Sequence, residues 1–215
     1  MREEQAISPS GDAEATAISW TGGKDCNLAL LSAWRDPKLE VTTLVVFHNG
    51  GDFHSHPIRL MEIQAEALGL ALCVMSLSSD VSYKEGYIQA IRHLRDDRGI
   101  RVLGTGDMSL VGKMSTNWID DCCREVGNVR AYLPLWNADR VACLNRLQSE
   151  NFLVIYSCVK QPWFDESWIG RLIDDEAINE MKSKSNGSGA IAHDSSCSPE
   201  GQCLDMGGEN GEYHT

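Results

Sequence analysis

The stretch Trp20-Thr21-Gly22-Gly23-Lys24-Asp25-Cys26 joins an apolar run, "TAISW" (16–20), to a helix-like run, "NLALLSAW" (27–34). Two glycines, a lysine and an aspartate at a strand-to-helix junction are the materials of an anion site. Glycines let the backbone turn tightly and approach a ligand with no Cβ in the way. The amides that open a helix have no intrahelical acceptor, and the helix dipole adds partial positive charge there. Lys24 adds a full charge and Thr21 a hydroxyl. The stretch fits neither the G-x-x-x-x-G-K-[ST] phosphate loop nor the G-x-G-x-x-G dinucleotide loop. The residues alone leave two readings open: an ordinary strand–helix turn, or a phosphate loop of another kind.

Outward from this stretch, strand-like runs alternate with helical ones. "VTTLVVFH" (41–48) reads as a second strand, and a helix follows Pro57 as far as Leu68, where Gly69 stops it. "LALCVMSL" (70–77) is a third strand, 82–95 a helix, and "IRVLGTGD" (100–107) a fourth strand. Continuous apolar strands separated by helices predict a parallel sheet covered on both faces. A helix over 115–125, the apolar segment "YLPLW" (132–136), a helix over 138–150 and an apolar strand, "NFLVIYSCV" (151–159), are expected to build a smaller C-terminal lobe. Residues 1–14 read as a disordered tail, 15–130 as the nucleotide domain and 131–215 as the C-terminal lobe. Within that lobe the Ser-, Gly- and Asp-rich segment 183–206 is expected to be a mobile insertion.

A chain of 215 residues is long enough to bury a proper core. The formal net charge of -12 argues against a broad nucleic-acid or anionic-membrane surface. No apolar run approaches the roughly 20 residues that span a bilayer, and the acidic, polar N-terminus is unlike a signal peptide. A cytoplasmic protein is expected, with its eight cysteines reduced.

In this acidic chain the local positive pocket at 20–26 needs a reason, and the residues supply one. "WTGGKDC" resembles the S-G-G-x-D-S pyrophosphate loop of the N-type ATP pyrophosphatases, with Thr21 and Cys26 where the serines usually stand. "QAEALGL" (64–70), "GTGD" (104–107) and "GENGEYHT" (208–215) resemble the diphthine–ammonia ligase branch of that group. The resemblance implies an α/β fold, a Rossmann-like parallel sheet of the adenine nucleotide alpha hydrolase type. It implies ATP and Mg²⁺ as cofactors, with ATP cleaved between the α and β phosphates. It further implies adenylation of the diphthine carboxylate of elongation factor 2 and its amination by ammonia.

Carried onto this sequence, the resemblance assigns nucleotide binding to Ser19, Thr21, Gly22, Gly23, Lys24, Asp25, Cys26, Gly106 and Asp107. Chemistry falls to Lys24, Asp25, Asp107, Glu209 and Glu212, with Asp107 also on the magnesium ion. Glu209, Asn210, Glu212, His214 and Thr215 would face the acceptor. A helix cap for Asp107 and a frayed C-terminal tail are the structural alternatives. A thiol is a weak donor, so Cys26→Ser is expected to tighten ATP binding.

Other clusters are weaker. His54 and His56 follow the second strand, where the adenosine would lie. Gly112-Lys113 lacks the spacing and the hydroxyl of a P-loop. His193, Cys197 and Cys203 lack zinc-ligand spacing. Cys122-Cys123 and Trp163, Phe164 and Trp168 read as packing residues. Two rival functions stay open: a related loop enzyme with a small-molecule or tRNA acceptor, and a non-catalytic ATP-binding protein. The latter draws on Cys26 and on the end of the sequence at Thr215.

Overall fold

The computed structural model describes residues 13–50, 56–110, 115–159 and 164–188. Five strands form one sheet: β1 (Glu14–Ser19), β2 (Leu39–His48), β3 (Ala71–Ser76), β4 (Val102–Gly104) and β5 (Arg130–Tyr132). The order is β3-β2-β1-β4-β5 and every pairing is parallel. Helices α1 (Lys24–Trp34), α2 (Ile58–Leu68), α3 (Tyr83–Arg98) and α4 (Trp118–Val126) make the crossovers. This is the expected α/β, Rossmann-like sheet. The chain winds outward from β1 to β3, then returns to β4 on the other side of β1. In such sheets the ligand crevice lies at this switch, beyond the carboxyl ends of the strands.

Alternation along the strands explains why both faces are covered. Ala17, Val45, Phe47 and Leu103 join Tyr87, Ile91, Ile119 and Cys122 beneath α3 and α4. Their neighbours Ile18, Leu44, Val46 and Val102 join Trp20, Leu30, Met61 and Ala65 beneath α1 and α2. Strands this apolar on both faces have no solvent side. Cys122 and Cys123 are buried free thiols in the first of these clusters or its wall, as packing residues should be. Gly69 ends α2 in the left-handed conformation, φ 66°.

Beyond β5, helix α5 (Arg140–Ser149) leans on α1 through Leu28, Met108, Leu135, Cys143 and Leu147. Phe164 and Trp168 form a small cluster with Ala177 of helix α6 (Asp175–Ser188). Two expectations need correction. The fourth strand is three residues long, because the chain leaves the sheet at Thr105 to press Gly106 against α1. The 151–159 run makes a single antiparallel bridge, Ile155 to Leu172, and Leu153 is 88% exposed. An apolar run becomes a strand only where a partner lies alongside it, and here the partner is one short return. Helix α6 also carries the chain to Ser188, past the expected start of the insertion. Trp163, Gly112-Lys113, His193, Cys197 and Cys203 lie outside the described residues.

Candidate active site

The loop after β1 is built around an uncapped helix end. Gly23 is the N-cap of α1 and makes no side-chain capping bond. The N-caps of α3, α4 and α5 contrast with it: Ser82, Asn117 and Asp139 each accept an amide of the first turn. The opening amides of α1 are left for another acceptor, in the field of the helix dipole. Gly22 takes φ 78°, a conformation that side chains other than glycine rarely adopt.

The other face of the loop is tied down. The Gly23 carbonyl accepts from Asn27 Nδ2 at 2.8 Å, from the Asn27 amide at 3.3 Å and from Cys26 Sγ at 3.0 Å. Thr21 Oγ1 lies 3.8 Å from Cys26 Sγ. Cys26 is buried, and that burial raises its thiol pKa above the usual value of 9.0, against smaller opposing bonds from Thr21. The thiol is thus protonated and spent on the loop's own carbonyl. The expectation that serine here would tighten ATP binding loses its basis, because the side chain bonds the loop itself.

Lys24 Nζ sits 3.2 Å from Asp25 Oδ2, with both side chains partly exposed at the crevice. Across the switch point, Gly106 touches the first turn of α1; a Cβ on it would stand 2.5 Å from the Asp25 carbonyl carbon. Asp107 follows, half-buried, accepting from Asn117 Nδ2 at 2.9 Å. Burial raises its carboxyl pKa, Asn117 and Thr105 oppose the shift, and the Asp25 charge adds to it. Ser19, at the end of β1, lies near the buried Tyr87 phenol and offsets part of the burial that pushes that phenol well above its usual range. The pair does not reach full hydrogen-bond geometry, since Tyr87 Oη has no partner among the described residues.

The fold therefore gathers Ser19, Thr21–Cys26, Gly106 and Asp107 at one edge. His56 joins them from the start of α2: its ring contacts the Gly22–Gly23 region, it bonds the Thr21 backbone, and its Nε2 lies 3.1 Å from Ser157 Oγ. His54, Glu209, Asn210, Glu212, His214 and Thr215 lie outside the described residues. Sequence reasoning missed Gln64 and Asn117. Gln64 Nε2 donates to the Gly22 carbonyl at 3.1 Å, while its Oε1 accepts from Trp20 Nε1 at 3.1 Å. Gln64 heads "QAEALGL", a run that resembles the family, but no role falls to the glutamine itself, which on an amphipathic helix reads as a solvent position. Asn117 caps α4 and borders a cleft of about 340 Å³ that also touches Asp120, Trp136 and Asn137.

A family model described as the diphthamide synthase N-terminal domain matches residues 14–130, more than half of the chain. The chain belongs to this diphthamide synthase family. That is a family of pyrophosphate-loop ATP pyrophosphatases, and the matched span holds the loop, Gln64, His56, Gly106, Asp107 and Asn117. No curated protein matches the chain significantly. Among solved structures, FMN adenylyltransferase from Candida glabrata, in complex with FMN and the ATP analog AMPCPP, aligns at 16% identity and TM-score 0.37 over 60% of this chain and 46% of its own. Formyltetrahydrofolate deformylase from Burkholderia mallei aligns at 14% and 0.34, covering 64% and 44%. Glycinamide ribonucleotide transformylase 1 from Symbiobacterium toebii aligns at 9% and 0.37, covering 82% and 84%. The chain thus spans under half the length of the first two. Likenesses this low carry no argument about chemistry, which rests here on the family and the site.

Proposed function

We propose that the protein is an ATP-dependent, AMP-forming amide ligase of the diphthine–ammonia ligase type, acting in the cytoplasm on the diphthine carboxylate of elongation factor 2. One observation carries the reading: an α1 N-terminus free of any side-chain cap, beside Lys24, with Asp107 held against it through Gly106. A carboxylate oxygen of the acceptor attacks the α-phosphorus of ATP, and the bond from that phosphorus to the bridging oxygen breaks. The pyrophosphate leaves into the loop, where the α1 amides and Lys24 meet the charge developing on it. Preorganised donors of this kind are worth most in the transition state. Ammonia then attacks the acyl carbon, AMP departs, and loss of a proton gives the amide.

Asp107 and Asp25 suit Mg²⁺, an ion that keeps several waters and takes one or two carboxylates beside phosphate oxygens. The mutual repulsion that helps to raise the Asp107 pKa is what a divalent cation would relieve. Such an ion, when bound, would neutralise phosphate charge. No group of three or more His, Cys, Asp or Glu side chains suited to a metal occurs among the described residues, which fits an ion held largely by substrate and water. The cleft beside Asn117 is the proposed entry for the acceptor, and the resemblance assigns acceptor binding to Glu209, Asn210, Glu212, His214 and Thr215.

The test is incubation of the protein with ATP, ammonium and modified elongation factor 2 or small carboxylates, with products resolved. Acceptor-dependent AMP and pyrophosphate support the reading, and ADP with phosphate overturns it.

A further inference from the structure

Gln64 reaches the loop from α2, 42 positions away in sequence, and makes two hydrogen bonds there. Their direction is forced. An indole N–H only donates and a backbone carbonyl only accepts, so the amide oxygen must face Trp20 and the amide nitrogen Gly22. Trp20 is 1% exposed and fixed in the cluster beneath α1 and α2. Since Trp20 stands two residues before Gly22, the chain Trp20 to Gln64 to Gly22 closes back on the loop it began from.

The Gly22 carbonyl and the Gly23 amide belong to one planar trans peptide, so they point in opposite directions. Drawing the carbonyl toward Gln64 turns the Gly23 N–H away from α2. Between two glycines that peptide is otherwise free to flip, because neither residue restricts its own backbone. A flipped peptide presents a carbonyl oxygen to the anion in place of an N–H. Gly22 also makes room for the brace, as a Cβ there would stand 2.7 Å from Gln64 Oε1.

We propose that Gln64 is a positioning residue of the pyrophosphate loop, holding the Gly22–Gly23 peptide so that the Gly23 N–H faces the leaving pyrophosphate. The inference rests on the reading of this loop as a pyrophosphate site. Gln64 touches no reacting atom and acts only through the peptide it orients.

The experiment measures binding of ATP, inorganic pyrophosphate and AMP to the full chain by calorimetry, with thermal melts alongside. Gln64→Met keeps the length of the side chain and removes both bonds. It is expected to weaken ATP and pyrophosphate about five- to tenfold, the value of one such hydrogen bond, and to leave AMP within about twofold. Gln64→Glu, the second variant, accepts from Trp20 but loses the donor to Gly22 while ionised. Its pyrophosphate affinity relative to wild type is expected to recover as pH falls through the carboxyl range, near about 4.3, because the protonated acid donates again. Wild-type pyrophosphate affinity in Gln64→Met, or equal losses for AMP and pyrophosphate, overturns the inference alone. No acid recovery in Gln64→Glu also overturns it. Failure of the wild-type chain to bind ATP or pyrophosphate overturns both the inference and the loop reading.

Discussion

Gly106 and Asp25 meet backbone to backbone: a Cβ on Gly106 would lie 2.5 Å from the Asp25 carbonyl carbon and 2.7 Å from its oxygen. This contact joins the end of β4 to the first turn of α1 and so sets Asp107 beside the loop. Neither partner is a flexible side chain, so a methyl group cannot be accommodated by a rotamer change. Gly106→Ala is expected to cost about 1–3 kcal/mol of stability, the usual range for overpacking, and to weaken ATP binding. Denaturant unfolding and calorimetry check it; wild-type values for both would show that the contact is yielding.

Lys24→Ala is expected to lower kcat/KM by about 2–4 kcal/mol of transition-state stabilisation, as loss of one preorganised donor does. The Lys24 side chain is partly exposed, so the melting temperature should stay close to wild type. An equal fall in stability and activity would place Lys24 in the structure rather than in the reaction.

Asp107→Asn separates stability from activity. The raised carboxyl pKa means that the fold disfavours the ionised form. Ionised Asp107 therefore subtracts from stability as pH rises from its ordinary value near 3.8 through the higher folded value. The asparagine variant should be at least as stable as wild type at pH 7, lose that advantage in acid, and lose most of its turnover. Melting curves across pH, beside AMP release, decide it. A variant destabilised at pH 7 contradicts the sign.

His56 gives the opposite dependence. Burial lowers its pKa from the ordinary 6.5, outweighing the bond to the Thr21 backbone. Its contribution to stability is present above that value and is lost as pH falls from it through the folded value. His56→Gln should flatten this part of the stability profile and leave the rest unchanged. An identical slope in the variant would assign the titration elsewhere.

Cys26→Ser is expected to fold and to bind ATP within about twofold of wild type. The serine hydroxyl inherits the bond to the Gly23 carbonyl but sits in an apolar cluster, so stability should fall by about 1 kcal/mol. Tighter ATP binding in the serine variant would mean that residue 26 reaches the phosphates after all.

Much of the sheet was legible because its strands are self-describing. The β2 run is β-branched and buried on both faces, and Gly69 announces the end of α2 without help from tertiary structure. The loop itself was legible through its glycines and its place after β1. What failed were segments whose state depends on a neighbour. The 151–159 run carries a strand's composition and finds one bridge, while "IRVLGTGD" is cut short by the approach of Gly106 to α1. The role of Gln64 was hidden for the same reason, since the loop it braces is brought to it only by the packing of α2 against β1 and β2.

The most direct measurement follows the fate of the ATP α phosphate. Labelled ATP, ammonium and an acceptor carboxylate, incubated with the wild-type chain, are expected to give AMP and pyrophosphate in equal amounts with the new amide. Their formation should fall together in Lys24→Ala. Acceptor-dependent release of ADP and inorganic phosphate would contradict a pyrophosphate loop at Thr21–Cys26.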